Sequence, residues 1–337
     1  MQMQMKTQMR MNTPSQQPMR RSHAFIWLAM TTALMTFGLI IFGAVVRVTD
    51  SGLGCGSDWP LCDGRIIPPL DNVTAWIEWL HRLFAALIGL FGLATLYFAA
   101  RAYRKRDQSV LWFTLAAALL FVVQSTLGAI VVMFELPPTF VTLHLGVAML
   151  LLGALLVAAV LAWYQPKQQQ ARDHVTVLAY ANAAFALVII LTGALVRGSG
   201  ATLACADGWP LCYDEILPTA YGSLALIHML HRLAVGALGI TLIILLWQVY
   251  RQRSDVLTRG LALVSFVVYL LQASVGAMYV ISVAGPEWGA AHVGMAATTW
   301  GLLIVLCAVE TMNTGAVLQQ ANQPQPTAAS TGQRILT

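Results

Sequence analysis

Charge is scarce in this chain. Asp, Glu, Lys and Arg supply only 10% of its 337 residues and apolar side chains 58%, and the mean hydropathy is +0.71. A soluble domain carries roughly a quarter of its residues charged, so that class is excluded and a polytopic membrane protein remains. Nothing in the composition points to nucleic acid, because the formal charge of +5 follows from where a few cations sit along the chain. Cysteine is also sparse, at five residues, and no C-x-x-C of a thiol oxidoreductase occurs.

What is present is apolar length. Eight runs, near 24–46, 75–100, 110–134, 139–164, 174–196, 223–250, 258–283 and 288–311, are each long enough to cross a bilayer as a helix. The expected fold is therefore an all-α polytopic membrane protein with eight transmembrane helices. The first run follows Arg20 and Arg21 in the manner of a signal peptide. Its end, GAVVR, returns as GALVR at the end of the fifth run, so it belongs to a repeated unit and is expected to be retained. Polar residues 1–22 and 312–337 read as disordered tails.

The cations set the orientation. Lys6, Arg10, Arg20, Arg21, Arg101, Arg104, Lys105, Arg106, Lys167, Arg172, Arg251, Arg253, Arg259 and Arg334 fall on one side. Only Arg47, Arg65 and Arg197 fall on the other, and Arg82 and Arg232 lie inside helices. The positive-inside rule then makes both termini cytoplasmic in the cell membrane and turns the long connections 47–74 and 197–222 outward.

The chain is written twice. GAVVRVTDSGLGCGSDWPLC at 43–62 recurs as GALVRGSGATLACADGWPLC at 193–212, and QSTLGA at 124–129 answers QASVGA at 272–277. The division is an N-terminal half at 23–164, a linker at 165–173 and a C-terminal half at 174–311. Four crossings per half bring the second copy in with the orientation of the first, giving two parallel-repeat four-helix bundles about an axis along the membrane normal.

Each copy has two chemical features. Cys55 and Cys62 share one outer connection and Cys205 and Cys212 the other. On the oxidising side such close pairs read as disulfides within each loop, either staples that shape the loop over the helix ends or redox-active pairs, the spacing favouring the staple. Cys307, inside the last run, has no counterpart. The second feature is histidine in lipid-spanning helices, which is costly and faces a partner inside the bundle. His81, His144, His231 and His292 lie four to eight residues inside the outer ends of their runs. At ~1.5 Å per residue all four sit roughly 6–12 Å below the boundary. Two histidines at one depth on different helices can hold a haem iron from opposite faces. The alternative is four buried histidines that hydrogen-bond helix backbones or carry protons, and duplication at corresponding positions favours the iron. Zinc is disfavoured, because most of these helices offer no carboxylate or thiolate at that depth.

The copies differ beside those histidines. Three residues before His81 stands Glu78, and three before His231 stands His228, each on the face of its neighbour. Glu78 is either an acid beside an iron, able to accept a proton, or an ordinary helix-end acid. His228 is either a spare ligand or a hydrogen-bond partner. Arg82 and Arg232 follow the two histidines and can pair with haem propionates. Arg47 and Arg197 can do the same or simply snorkel.

E-x-x-H-R at 78–82, H-x-x-H-R at 228–232, His144, His292 and the two C-x6-C loops together resemble the haem A synthase family of cytochrome oxidase assembly, over residues 24 to 311. The resemblance implies oxidation of the methyl at ring position 8 of haem O to a formyl group, by successive hydroxylations and loss of water. It also implies haem b on His231 and His292 in the C-terminal half, and substrate haem O framed by His81 and His144, leaving as haem A. Glu78 would be the acid-base or cation-stabilising residue. Membrane lipid surrounds such a protein, haem O synthase and cytochrome oxidase assembly proteins are the partners it suggests, and a homo-oligomer is a candidate state. Two other classes use the same histidines, an electron-relaying membrane cytochrome b and a haem carrier.

Overall fold

A computed structural model describes residues 22–105, 107–166, 173–206 and 208–321. Eight long helices make up the fold: α1 (His23–Val48), α2 (Val73–Tyr103), α3 (Gln108–Met133), α4 (Pro138–Trp163), α5 (His174–Gly198), α6 (Ser223–Gln252), α7 (Val256–Ile281) and α8 (Pro286–Ala321). All eight are long and apolar enough to span a membrane, and no strand occurs among the described residues. The chain is an all-α, multi-pass membrane protein.

The starts follow capping chemistry. Ser22, Asn72, Asp107, Asp173 and Asp255 each accept a hydrogen bond from a first-turn amide of α1, α2, α3, α5 and α7, and α4 opens on Pro138, which has no amide to orphan. The tight turns repeat as well. Glu135 and Leu136 between α3 and α4 have φ of 58° and 61°, and Val283 and Ala284 between α7 and α8 have 56° and 64°. Non-glycine residues rarely adopt that left-handed region, so its recurrence marks one turn built twice.

Helices α1, α4, α5 and α8 form the centre, with α1 against α4 and α8, α5 against the same two, and α4 against α8. In α4 67% of the most apolar window is buried and in α8 61%, against 17–28% for α2, α3, α6 and α7, which turn apolar faces outward to lipid. Small residues let the centre close. The Trp300 indole lies where Gly153 has no side chain and donates to the Ala183 carbonyl at 3.0 Å.

Helix α8 runs to Ala321, past the boundary at 311 that hydropathy suggested. The reason is local burial of polar groups: Asn313 and Thr314 are buried, and the Tyr164 hydroxyl donates to Asn313 Oδ1 at 3.0 Å. Most of both expected tails, 1–21 and 322–337, and most of the expected linker, 167–172, lie outside the described residues.

Candidate functional site

The outer connections fold against the ends of α2 and α6. Cys55 is bonded to Cys62 and Cys205 to Cys212, and Cys307 is a free, buried thiol. Arg82 holds the first loop by donating to the carbonyls of Asp58, Pro60 and Leu61 at 3.1, 3.4 and 2.9 Å. Arg232 holds the second through Gly208, Pro210, Leu211 and Cys205 at 3.0, 3.2, 2.9 and 3.0 Å. Both arginines border the central cavity, but these guanidinium hydrogens are engaged by loop backbone.

Glu78 is 3% exposed, so it is not a solvent-exposed helix-end acid. Its Oε2 accepts the Cys55 amide at 2.8 Å, and its Oε1 accepts from Arg82. Gly54 makes this approach possible, since a Cβ there would lie 2.3 Å from the Thr74 carbonyl carbon. The second copy has Ala204 at that position and reverses the polarity: His228 Nδ1 donates to the Ala201 carbonyl at 2.9 Å. His228 is thus a hydrogen-bond partner of its loop. Arg197 reaches Asp50 at 3.5 Å, joining the ends of α5 and α1.

Below the loops one cavity of about 1370 Å³ is lined by all eight helices and takes in His81, His144, His231 and His292 together. That exceeds the roughly 300–1,000 Å³ of an ordinary small-molecule pocket. Each imidazole lies against a glycine of the preceding helix. A Cβ on Gly43 would meet His81 at 3.2 Å, on Gly128 His144 at 3.1 Å, on Gly193 His231 at 3.1 Å and on Gly276 His292 at 2.7 Å. The repeated glycines of GAVVR, GALVR, QSTLGA and QASVGA are therefore the seats of the histidine rings.

The pairs differ in how the rings are held. His231 Nδ1 donates to Thr192 Oγ1 at 2.9 Å, and Thr192 passes its own hydrogen to the Ile189 carbonyl at 2.8 Å. His292 Nδ1 donates to the Gln272 carbonyl at 3.2 Å. Both rings thereby keep the Nε2 lone pair free. That is the arrangement of metal-ligating imidazoles, whose second nitrogen is anchored by an outer hydrogen bond, and an iron between two imidazoles fits it. In the first pair His81 Nδ1 is buried with no hydrogen-bond partner among the described residues, while His144 interacts with the Gln124 backbone carbonyl more weakly than His292 does with that of Gln272. The Gln124 side-chain amide donates to His144 Nε2 at 3.1 Å. Among the described residues no group of three or more His, Cys, Asp or Glu forms a cage for a bare metal ion.

Thr192, Gln124, Gln272 and Thr299 were not singled out by sequence reasoning. Their signal was position, since Thr192 immediately precedes GALVR and the two glutamines open the second repeated motif.

The pattern that defines the cytochrome oxidase assembly protein family matches residues 26–304. The chain is 32% identical over 287 residues to a haem A synthase of Symbiobacterium thermophilum, covering 82% of this chain and 92% of that one. It is 30% identical over 262 residues to the haem A synthase of an Exiguobacterium species, covering 75% and 83%. A haem A synthase of Geobacillus thermodenitrificans is 30% identical over 297 residues, covering 83% and 89%.

Proposed function

The chain belongs to the cytochrome oxidase assembly protein family, and from that premise we propose that it is a haem A synthase. It oxidises the methyl group at ring position 8 of haem O to the formyl group of haem A by successive hydroxylations, each a two-electron oxidation that draws on an oxidant from outside the chain, followed by loss of water. His231 and His292 hold a resident haem b, and His81 and His144 frame the substrate. When bound, haem b supplies one-electron redox chemistry. The observation that carries this division is the hydrogen bonding of the second pair, where both Nδ1 atoms are anchored and both Nε2 lone pairs are free.

The chain's own residues supply position and charge. The four glycine seats hold the rings at the cavity wall. The disulfide loops, drawn down by Arg82 and Arg232, cover the outer mouth and limit water. Glu78, buried at that mouth on the His81 side, is placed to take a proton or to stabilise positive charge developing on the substrate. An electron relay would need this carboxylate only to hold the Cys55 amide and Arg82. The distribution of Lys and Arg supports loops outside and termini in the cytoplasm. The substrate then comes from an enzyme that farnesylates haem.

Membranes carrying the chain and supplied with haem O should yield a formyl-bearing haem on extraction and mass analysis. Glu78→Gln should retain haem b yet accumulate haem O or an alcohol intermediate, with haem A output reduced on the order of 100-fold or more. Extracts of the natural chain that contain only haem O, or wild-type output from Glu78→Gln, would overturn the assignment.

A further inference from the structure

Laid copy on copy, the two histidine pairs differ by two hydroxyls that govern the rings. Thr192 stands where the first half has Phe42, and Thr299 where it has Leu151. Thr192 accepts the His231 Nδ1 hydrogen and is itself tied to Ile189, so turning the ring breaks a two-step chain. Phe42 has no acceptor to offer, and its ring centroid lies 5.9 Å from that of His81, whose Nδ1 has no partner among the described residues. Thr299, 2% exposed, divides its one hydroxyl hydrogen between Gln272 Oε1 at 3.2 Å and the Met295 carbonyl at 3.0 Å, a contact that holds the Gln272 side chain. Leu151 cannot hold Gln124, and the Gln124 amide turns to His144 Nε2, the nitrogen an iron needs.

We propose that Thr192 and Thr299 are positioning residues that make the His231–His292 pair a retaining site, whereas Phe42 and Leu151 make the His81–His144 pair a releasing one. The proposal deepens the reading of the two pairs as haem sites and rests on it. A resident cofactor must stay through many turnovers, and anchored imidazoles are better ligands because the outer hydrogen bond fixes the ring and raises its basicity. A substrate that leaves as product needs the opposite. An unanchored His81 can swing aside, and the Gln124 amide is ready to recapture His144 when the iron departs.

The test uses the full-length chain purified in detergent. Thr192→Val keeps shape and removes the acceptor, so the haem b midpoint potential should rise as the imidazole becomes a poorer donor. Haem affinity, read as loss on detergent dilution, should fall by ~10–100-fold. Thr192→Ser should restore both. Phe42→Thr should raise the haem content per chain, because His81 gains the missing anchor. A wild-type midpoint and wild-type retention in Thr192→Val would overturn the proposal. So would a lower melting temperature at an unchanged midpoint, or Thr192→Ser behaving as Val. Failure of the underlying reading looks different: the natural chain would lack a low-spin haem, or His231→Ala would leave it intact.

Discussion

A histidine ring packed against a neighbouring helix needs a position there with no side chain, and the four glycine seats meet that need to unequal degrees. A Cβ on Gly276 would come within 2.7 Å of His292 Cε1 and 3.0 Å of its Nδ1, whereas one on Gly193 would stay 3.1 Å from His231. His292 is also tied to the Gln272 carbonyl, so it cannot move without losing that bond. Gly276→Ala should therefore abolish most of the low-spin haem b spectrum per unit protein, while Gly193→Ala should only weaken it. Equal spectra in the two variants would remove the steric argument. At this scale the histidines, Glu78 and the cysteine pairs were legible in the sequence, because ionisable or sulfur-bearing residues stand out against apolar helices. The fate of Arg82 and Arg232 was not legible, since a guanidinium serves a propionate or a backbone carbonyl equally well and only the loop's path decides.

Among elements, the two halves close their loop-distal ends by different chemistry. In the first half Phe25 meets Tyr103 edge-on at 5.1 Å. In the second, Arg253 at the end of α6 pairs with Asp173 at the start of α5 at 2.7 Å and with Glu310 of α8 at 2.6 Å. Burial alone would lower the Arg253 pKa, and the hydrogen bonds it donates to Asp173 and Glu310 overcome this and raise the value. The hydrogen bond with Arg253 in turn holds the Asp173 carboxyl below its usual range. Glu310 is fully buried, so removing its cation leaves a charge with no water to turn to. Arg253→Met should destabilise the fold by on the order of 3–5 kcal/mol in thermal unfolding, and adding Glu310→Leu should recover much of it. A depressed carboxyl stabilises in full above its unfolded value, about 3.9, and loses that contribution as pH falls through the folded one. Acid should accordingly weaken the natural chain in that window, and Arg253→Met should lose that part of the sensitivity. Identical melting of Arg253→Met and the natural chain at neutral pH would show the network to be idle. Hydropathy could not reveal this weld, because it reads Arg253 as a cytoplasmic cation and Glu310 as the frayed end of an apolar run.

Across the whole molecule, hydropathy and the repeat made eight helices legible, with every end but the last of α8 within a few residues, since each crossing is a long apolar run bounded by polar turns. What they left hidden was which helices sit at the centre. The run of α8 is less apolar than that of α3, yet α8 is buried and α3 faces lipid, because a bilayer is as apolar as a protein core and composition alone does not separate them. Orientation rests on cation placement and on the disulfides. Both cysteine pairs lie in loops against the same cavity, and Arg101, Arg104, Arg251 and Arg259 cluster at the opposite helix ends. Intact cells treated with a reductant and then a membrane-impermeant maleimide should carry label on Cys55, Cys62, Cys205 and Cys212. Cys307, buried in α8, should stay unlabelled. If label reaches the loops only after the membrane is broken, the molecule is turned over, and the covered mouth beside Glu78 opens to the cytoplasm instead.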